Sequence, residues 1–148
     1  MRPTWVEVYT GSIVKNIERV RAAIPEKTQI MAVVKADGYG HGAVPVAIAA
    51  LNSGATFLGV ALVEEGIALR RAGIVAPVLF MESLFPWQAS DLVRYGLTAT
   101  VASYESADVL SESAALLGRK AKIHIKIDTG MGRLGLPPDA IPGLVRHV

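Results

Sequence analysis

Lys35 ends an apolar run, Ala32-Val33-Val34, and is followed by Ala36-Asp37-Gly38-Tyr39-Gly40-His41-Gly42. An ammonium at the end of a buried strand is costly unless it has a partner or a task. Desolvation there lowers a lysine's pKa and makes the amine a usable nucleophile or base. The glycines let backbone N–H groups approach a ligand, and such nests suit phosphate. A lysine amine beside an anion cradle is what a Schiff-base aldehyde cofactor such as pyridoxal phosphate (PLP) requires.

A second group of chemical residues lies nearly a hundred positions later. In 122–127, Ile123, Ile125 and Ile127 alternate with Lys122, His124 and Lys126. Alternate residues of a strand face opposite sides of its sheet. Parallel strands are normally covered on both sides, so the isoleucines are expected under helices and the cationic row inside a barrel. Lys126 then sits nearest the C-terminal mouth, where barrel enzymes place their chemistry. The following segment, Asp128-Thr129-Gly130-Met131-Gly132-Arg133-Leu134-Gly135, allows tight turns and offers the guanidinium fork of Arg133 to a carboxylate or phenolate. Two desolvated cations need something negative between them. Asp128, a bound anion, or a carbamate formed by carbon dioxide on Lys126 would each serve.

The elements that must carry these groups alternate regularly. Strands are expected at 30–34, 56–60, 78–81, 97–101 and 122–127. Helical stripes lie between them: Val44, Ile48 and Leu51; Glu64 to Ala72, closed by Gly73; Gln88 to Tyr95, closed by Gly96; and Ala107 to Leu117, closed by Gly118. Asp139 to Val148 begins another helix after Pro137-Pro138. Before the series, Trp5–Tyr9 reads as a short strand and Thr10-Gly11-Ser12 as a turn with cap candidates. Ile13, Ile17, Val20 and Ile24 then follow as a helix ended by Pro25.

Repeated βα units mean a parallel sheet. A doubly wound five-stranded sheet would be complete at 148 residues, whereas a (β/α)8 TIM-type barrel needs roughly 250. The chain stops without a cap or polar tail, and the Trp5–Tyr9 strand has no obvious partner. Both favour a barrel truncated to about five βα units. A flavodoxin-like binding module would explain the glycines but neither Lys35 nor the cationic row.

Composition narrows the class. The chain is 51% apolar and 19% charged, with a net charge of +2 and no cysteine. That excludes a disordered chain, a disulfide framework and a thiolate metal site. The basic residues are dispersed, so no nucleic-acid surface is expected. No apolar run reaches membrane-spanning length, and the N-terminus lacks a signal-peptide core, which suits the cytoplasm.

Both chemical clusters resemble motifs of the alanine racemases, PLP-dependent enzymes built from a (β/α)8 barrel and a β domain. Residues 33–42 resemble that family's cofactor-attachment signature, and residues 126–133 its second motif. The resemblance covers the whole chain but only the N-terminal part of a family member. It implies a strand of the missing β domain at 1–10 and a partial PLP-binding barrel at 11–148. Position by position, it implies that Lys35 holds the cofactor and exchanges the Cα proton on the D-alanine side. Tyr39 would bond the cofactor phosphate, and Arg133 would contact the phenolic oxygen and the substrate carboxylate. Lys126 matches a position that is carboxylated in some members. The implied full-length protein is a homodimeric alanine racemase supplying D-alanine for peptidoglycan. Its second base, a tyrosine, and its pyridine-facing arginine lie outside this chain, so the segment alone is expected not to racemise alanine.

Plainer readings stand beside these. Tyr39 could pack on its loop, Arg133 could cap carbonyls, and Lys126 could pair with Asp128. His41 and His124 lack metal-ligand spacing. Glu64-Glu65 with Arg70-Arg71 reads as a solvated helix face, and Trp5 and Trp87 as packing residues. The alternative functions are a non-catalytic PLP carrier and a racemase of broader specificity. A basic-amino-acid decarboxylase of the same fold is disfavoured by the Lys35 motif.

Overall fold

The computed structural model describes residues 3–148. Five short strands form one wholly parallel sheet in the order β1 (Met31–Val33), β2 (Phe57–Val60), β3 (Val78–Phe80), β4 (Thr98–Val101) and β5 (Lys122–Ile125). Spatial order equal to chain order separates the two architectures. A doubly wound sheet reverses direction at a switch point, with helices on both faces. Here each strand is added to the same edge, as in a barrel wall.

The helices are α1 (Thr10–Ala23), the short α2 (Lys35–Tyr39), α3 (Ala43–Asn52), α4 (Val63–Arg71), α5 (Ala89–Arg94), α6 (Tyr104–Leu116) and α7 (Ile141–His147). The core fills the space between them and one face of the sheet. Val34, Leu58, Val60, Val78, Phe80 and Val101 meet Leu69, Leu92, Leu110 and Leu144 there, all essentially inaccessible to water. Burying each such side chain contributes about 1.5–3 kcal/mol before conformational entropy is subtracted. Ile123 and Ile125 pack against this core, and His124 faces the other way, its ring 5.7 Å from that of Phe57. The alternation expected of the fifth strand is therefore present. Its opposite face is the open, concave side of the sheet.

Several local expectations change. No strand forms at Trp5–Tyr9, because no described residue pairs with it. Glu7 instead accepts bonds from the Trp5 indole (2.9 Å) and the Tyr9 hydroxyl (2.7 Å). Trp5 and Trp87 are both more than 70% exposed, so neither is a core packing residue; Trp87 stacks on Phe85 at 4.7 Å. Helix α1 begins at Thr10, inside the expected turn, and has no side-chain cap. The third and last helical stripes each open with a 3₁₀ turn, at Pro86–Gln88 and Pro138–Ala140, where proline at the start removes a donor the helix could not use. Strand β5 ends at Ile125, since Ile127 leaves β4 to bridge Leu136. Ser103 caps α6 through its bond from the Ser106 amide, 3.1 Å.

The charged helix α4 is only half solvated. Glu64 and Arg71 are exposed, but Glu65 and Arg70 turn inward. The Arg70 guanidinium donates to the carbonyls of Tyr95 (3.0 Å), Ile74 and Ala76 (2.8 Å each) and Gly96 (3.3 Å). Partial burial draws its pKa below that of a free guanidinium. It thereby joins the turns preceding β3 and β4. Replacing Arg70 with Met leaves those carbonyls without their charged donor and is expected to cost about 2–4 kcal/mol, read as a lowered denaturation midpoint.

Candidate functional site

Lys35 lies two residues past the end of β1, after the buried Val34, and is half-buried. The chain then turns left-handed: Ala36, Asp37 and Tyr39 have φ of 51°, 52° and 56°, continued by Gly38 and Gly40. Left-handed helical backbone costs an L-residue about 1–2 kcal/mol, so three consecutive-turn residues of this kind need strong local support. The support is visible. The Gly38 amide donates to Val34 (2.9 Å), Gly40 to Ala36 (3.1 Å) and Gly42 to Asp37 (2.8 Å). The Asp37 carboxylate takes the Ala43 amide at the start of α3, 2.8 Å away. Gly38 suits a tight spot: a Cβ there would lie 3.3 Å from the Ala43 backbone and 3.2 Å from Val46, on a backbone with φ of +62°.

This corrects the anticipated phosphate nest. The amides of Gly38, Gly40 and Gly42 bond within the turn and are not offered to a ligand. What the turn supplies is direction, setting where β1 ends and where the Lys35 side chain goes.

Lys35 lines a cleft of about 280 Å³ on the concave side of the sheet. Lys126 and Arg133 line the same cleft, with His124, Thr100 and Glu82. Two motifs far apart in sequence therefore meet at the C-terminal ends of the strands. Arg133 also borders a second cleft of about 350 Å³ with Ser83, Ser103 and Asp128. Tyr39 is not drawn in: its side chain is 60% exposed and lies outside the lining of both clefts.

The loop between Lys126 and Leu136 is a closed device. The Lys126 amide bonds Val101 (2.8 Å), extending the β4 ladder, and the Lys126 carbonyl accepts from Leu136 (3.1 Å). The Asp128 amide returns a bond to the Leu136 carbonyl at 2.9 Å. The Asp128 carboxylate accepts from the amides of Gly130 (2.9 Å) and Gly132 (3.0 Å). No Lys126–Asp128 ion pair forms among the described residues, nor does Arg133 have a carboxylate within 4.0 Å. Asp128 is thus a loop organiser, and neither Lys126 nor Arg133 is ion-paired among the described residues. Glu82, which the sequence reading passed over, is the carboxylate that shares their cleft. No group of histidine and acidic residues suited to a metal occurs among the described residues.

The amides of Gly132 and Gly130, in that order, hold the Asp128 carboxyl below its ordinary 3.8. A depressed folded-state pKa means that the loop's stabilisation is full above that ordinary value and is lost as pH falls through the folded one. Amide exchange at Gly130 and Gly132 is expected to quicken on acidification below about pH 3.8 and to lose that dependence in Asp128→Asn. Nuclear magnetic resonance of the two amides checks it.

Comparison with known proteins agrees with this arrangement. A family profile described as "Alanine racemase, N-terminal domain" matches residues 8–148. The alanine racemase of Symbiobacterium thermophilum is 47% identical over 148 residues, all of this chain and 39% of that protein. The solved alanine racemase of Clostridium difficile 630 superposes with a TM-score of 0.94 at 36% identity, covering 98% of this chain and 38% of that one. A histidine racemase from Leuconostoc mesenteroides subsp. sake superposes with a TM-score of 0.85 at 26% identity, covering 94% of this chain and 37% of that one. The chain therefore spans about two-fifths of the length of these relatives. With its strand order, its lysine-bearing turn and its matched span all in agreement, the chain belongs to the alanine racemase family and corresponds to that family's N-terminal domain.

Proposed function

We propose that this chain is the lysine-bearing part of a PLP-dependent amino-acid racemase whose substrate is alanine. The observation that carries the reading is the convergence of Lys35, Lys126 and Arg133 on one cleft. The donor set fits the cofactor: a primary amine at Lys35 for its aldehyde and the Arg133 guanidinium for its phenolate, with Lys126 beside them in the same cleft. Lys35 would hold it through Nζ, and Arg133 would bond its phenolate. When bound, PLP supplies an electron sink that acidifies the substrate Cα–H.

The chain's own residues then have distinct tasks. The Arg133 fork orients a substrate carboxylate, fixing which face of Cα is presented to Lys35. The Lys35 amine, when free, removes and returns the proton at Cα on the D-alanine side. Lys126, carrying a carbamate, would orient Arg133 by charge. Tyr39 would reach a phosphate from outside the present cleft lining. Return of the proton on the other face needs a second base, supplied in the full-length homodimer by a β-domain tyrosine. The Trp5–Tyr9 segment would join that β domain as a strand. A cytoplasmic enzyme making D-alanine for peptidoglycan follows from this reading; no helix among the described residues is long and apolar enough to cross a membrane.

The test is direct. The full-length protein with PLP should be yellow, and borohydride should fix the cofactor on the peptide bearing Lys35. Chiral analysis should show D-alanine forming from L-alanine, whereas the isolated 1–148 segment should form none at a useful rate. Adduct on a different lysine, or rapid racemisation by the segment, would defeat the assignment. The histidine racemase likeness supports a second reading, a racemase of broader specificity, in which this domain holds the cofactor and other parts choose the amino acid. Comparing kcat/KM for alanine and histidine separates the two.

A further inference from the structure

Glu65 is the carboxylate best placed to act on the Lys35 turn. It lies in the first turn of α4, half-buried, with no cation paired to it among the described residues. One oxygen accepts from the amides of Ala61 (2.8 Å) and Leu62 (3.0 Å), a local closure of the helix start. The other reaches 29 positions back along the chain to the amide of Ala36, 2.6 Å away. Ala36 is the residue after Lys35 and the first with positive φ.

Helix capping explains the first oxygen and leaves the second unexplained. A glutamate three residues into a helix ordinarily reaches back only to its own N-cap amide. Here it spans from α4 to the end of β1 with a charge-assisted bond, at the point where the backbone leaves the strand for a conformation that alanine disfavours. Fixing Ala36 fixes the direction in which the preceding Cα–Cβ bond of Lys35 points.

We propose that Glu65 is the positioning residue of Lys35: its carboxylate clamps the Ala36 amide, holds the left-handed turn and so aims the lysine amine into the cleft shared with Lys126 and Arg133. The inference rests on the racemase reading for its purpose, but the clamp itself is independent of any cofactor.

Glu65→Gln separates the two oxygens. Its one carbonyl oxygen can serve only one of the two sites; the side with two donors, Ala61 and Leu62, is expected to keep it, leaving the amide nitrogen, which cannot accept, toward Ala36. Glu65→Ala removes both functions and serves as the comparison for simple loss of the helix cap. In the full-length protein, Glu65→Gln is expected to speed amide exchange at Ala36 at least tenfold, with the amides of α4 nearly unchanged. The labelling of Lys35 by acetic anhydride, relative to Lys126, should change severalfold without cofactor present. Affinity for PLP should fall about tenfold, read from the yellow absorbance. Wild-type exchange at Ala36 and an unchanged labelling ratio in Glu65→Gln would overturn the proposal. So would changes that appear only in Glu65→Ala and track its melting temperature. If wild-type protein takes no PLP on Lys35, the racemase reading fails, and the exchange and labelling results still decide the clamp.

Discussion

Under the proposed function, Lys35→Ala in the full-length protein is expected to remove the borohydride-fixed cofactor from the 31–42 region and to lower racemisation at least ~10³-fold. The two roles proposed for this side chain, covalent attachment and proton transfer at Cα, would vanish together, and proton transfer alone is worth about 10²–10⁴. No neighbour takes them over. Lys126 lines the same cleft but issues from the far edge of the sheet, at the end of β5, while Lys35 issues from β1. Misplacement by about 1 Å already costs on the order of 10² in rate, and an opposite wall is several times farther. Stability should barely change, because Lys35 makes no ion pair among the described residues. Peptide mapping of the reduced adduct, together with chiral analysis of alanine, reads both effects. Retention of the adduct at another lysine with near-normal turnover would contradict the assignment.

Gly135→Ala is the second large effect, and it arises in the backbone. Gly135 has φ of +120°, outside the ordinary left-handed helical well that other residues tolerate. A Cβ there would stand 2.7 Å from the Asp128 nitrogen, 2.9 Å from the Ile127 carbonyl carbon and 3.0 Å from the Lys126 oxygen. These are backbone atoms that cannot rotate away. The Ile127–Leu136 bridge and the paired Lys126–Leu136 and Asp128–Leu136 bonds must open. Strain and overlap together are expected to cost about 3 kcal/mol or more. The displacement falls on Arg133, two residues earlier, and on Lys126 itself, so kcat/KM should fall about 10²-fold. Gly132→Ala is the control. Gly132 has φ of +68° and open space where its Cβ would go, so about 1 kcal/mol is expected. Equal melting temperatures for the two variants would refute the steric account.

The strands, most of the helices and the helix-closing glycines were legible in the sequence because each leaves a local signature. Ile123 and Ile125 alternate with cations, and Gly73, Gly96 and Gly118 do adopt positive φ where their helices end. Lys35, Lys126 and Arg133, which line one cleft, could be picked out as candidates because strand ends and glycine-rich loops single out such residues. Other readings missed because they depended on distant atoms. Glu65 and Arg70 looked like a solvated face, since a helical charge run carries no sign of what lies across from it. Their partners, Ala36 and the carbonyls of Tyr95 and Gly96, are 25 to 29 positions away. The glycines after Lys35 looked like a ligand cradle because the same glycines that free an N–H can also bond it internally.

Most element types, the parallel sheet and the candidate cations can thus be read from the residues alone, because they follow from side-chain period and backbone freedom within a few positions. Folding in three dimensions is what sets strand order equal to chain order and brings the cations at the ends of β1 and β5 to one cleft. It alone decided that the turn after Lys35 is left-handed and held by a carboxylate from α4. Those outcomes depend on contacts between segments distant in the chain, whose energies no local pattern of residues encodes.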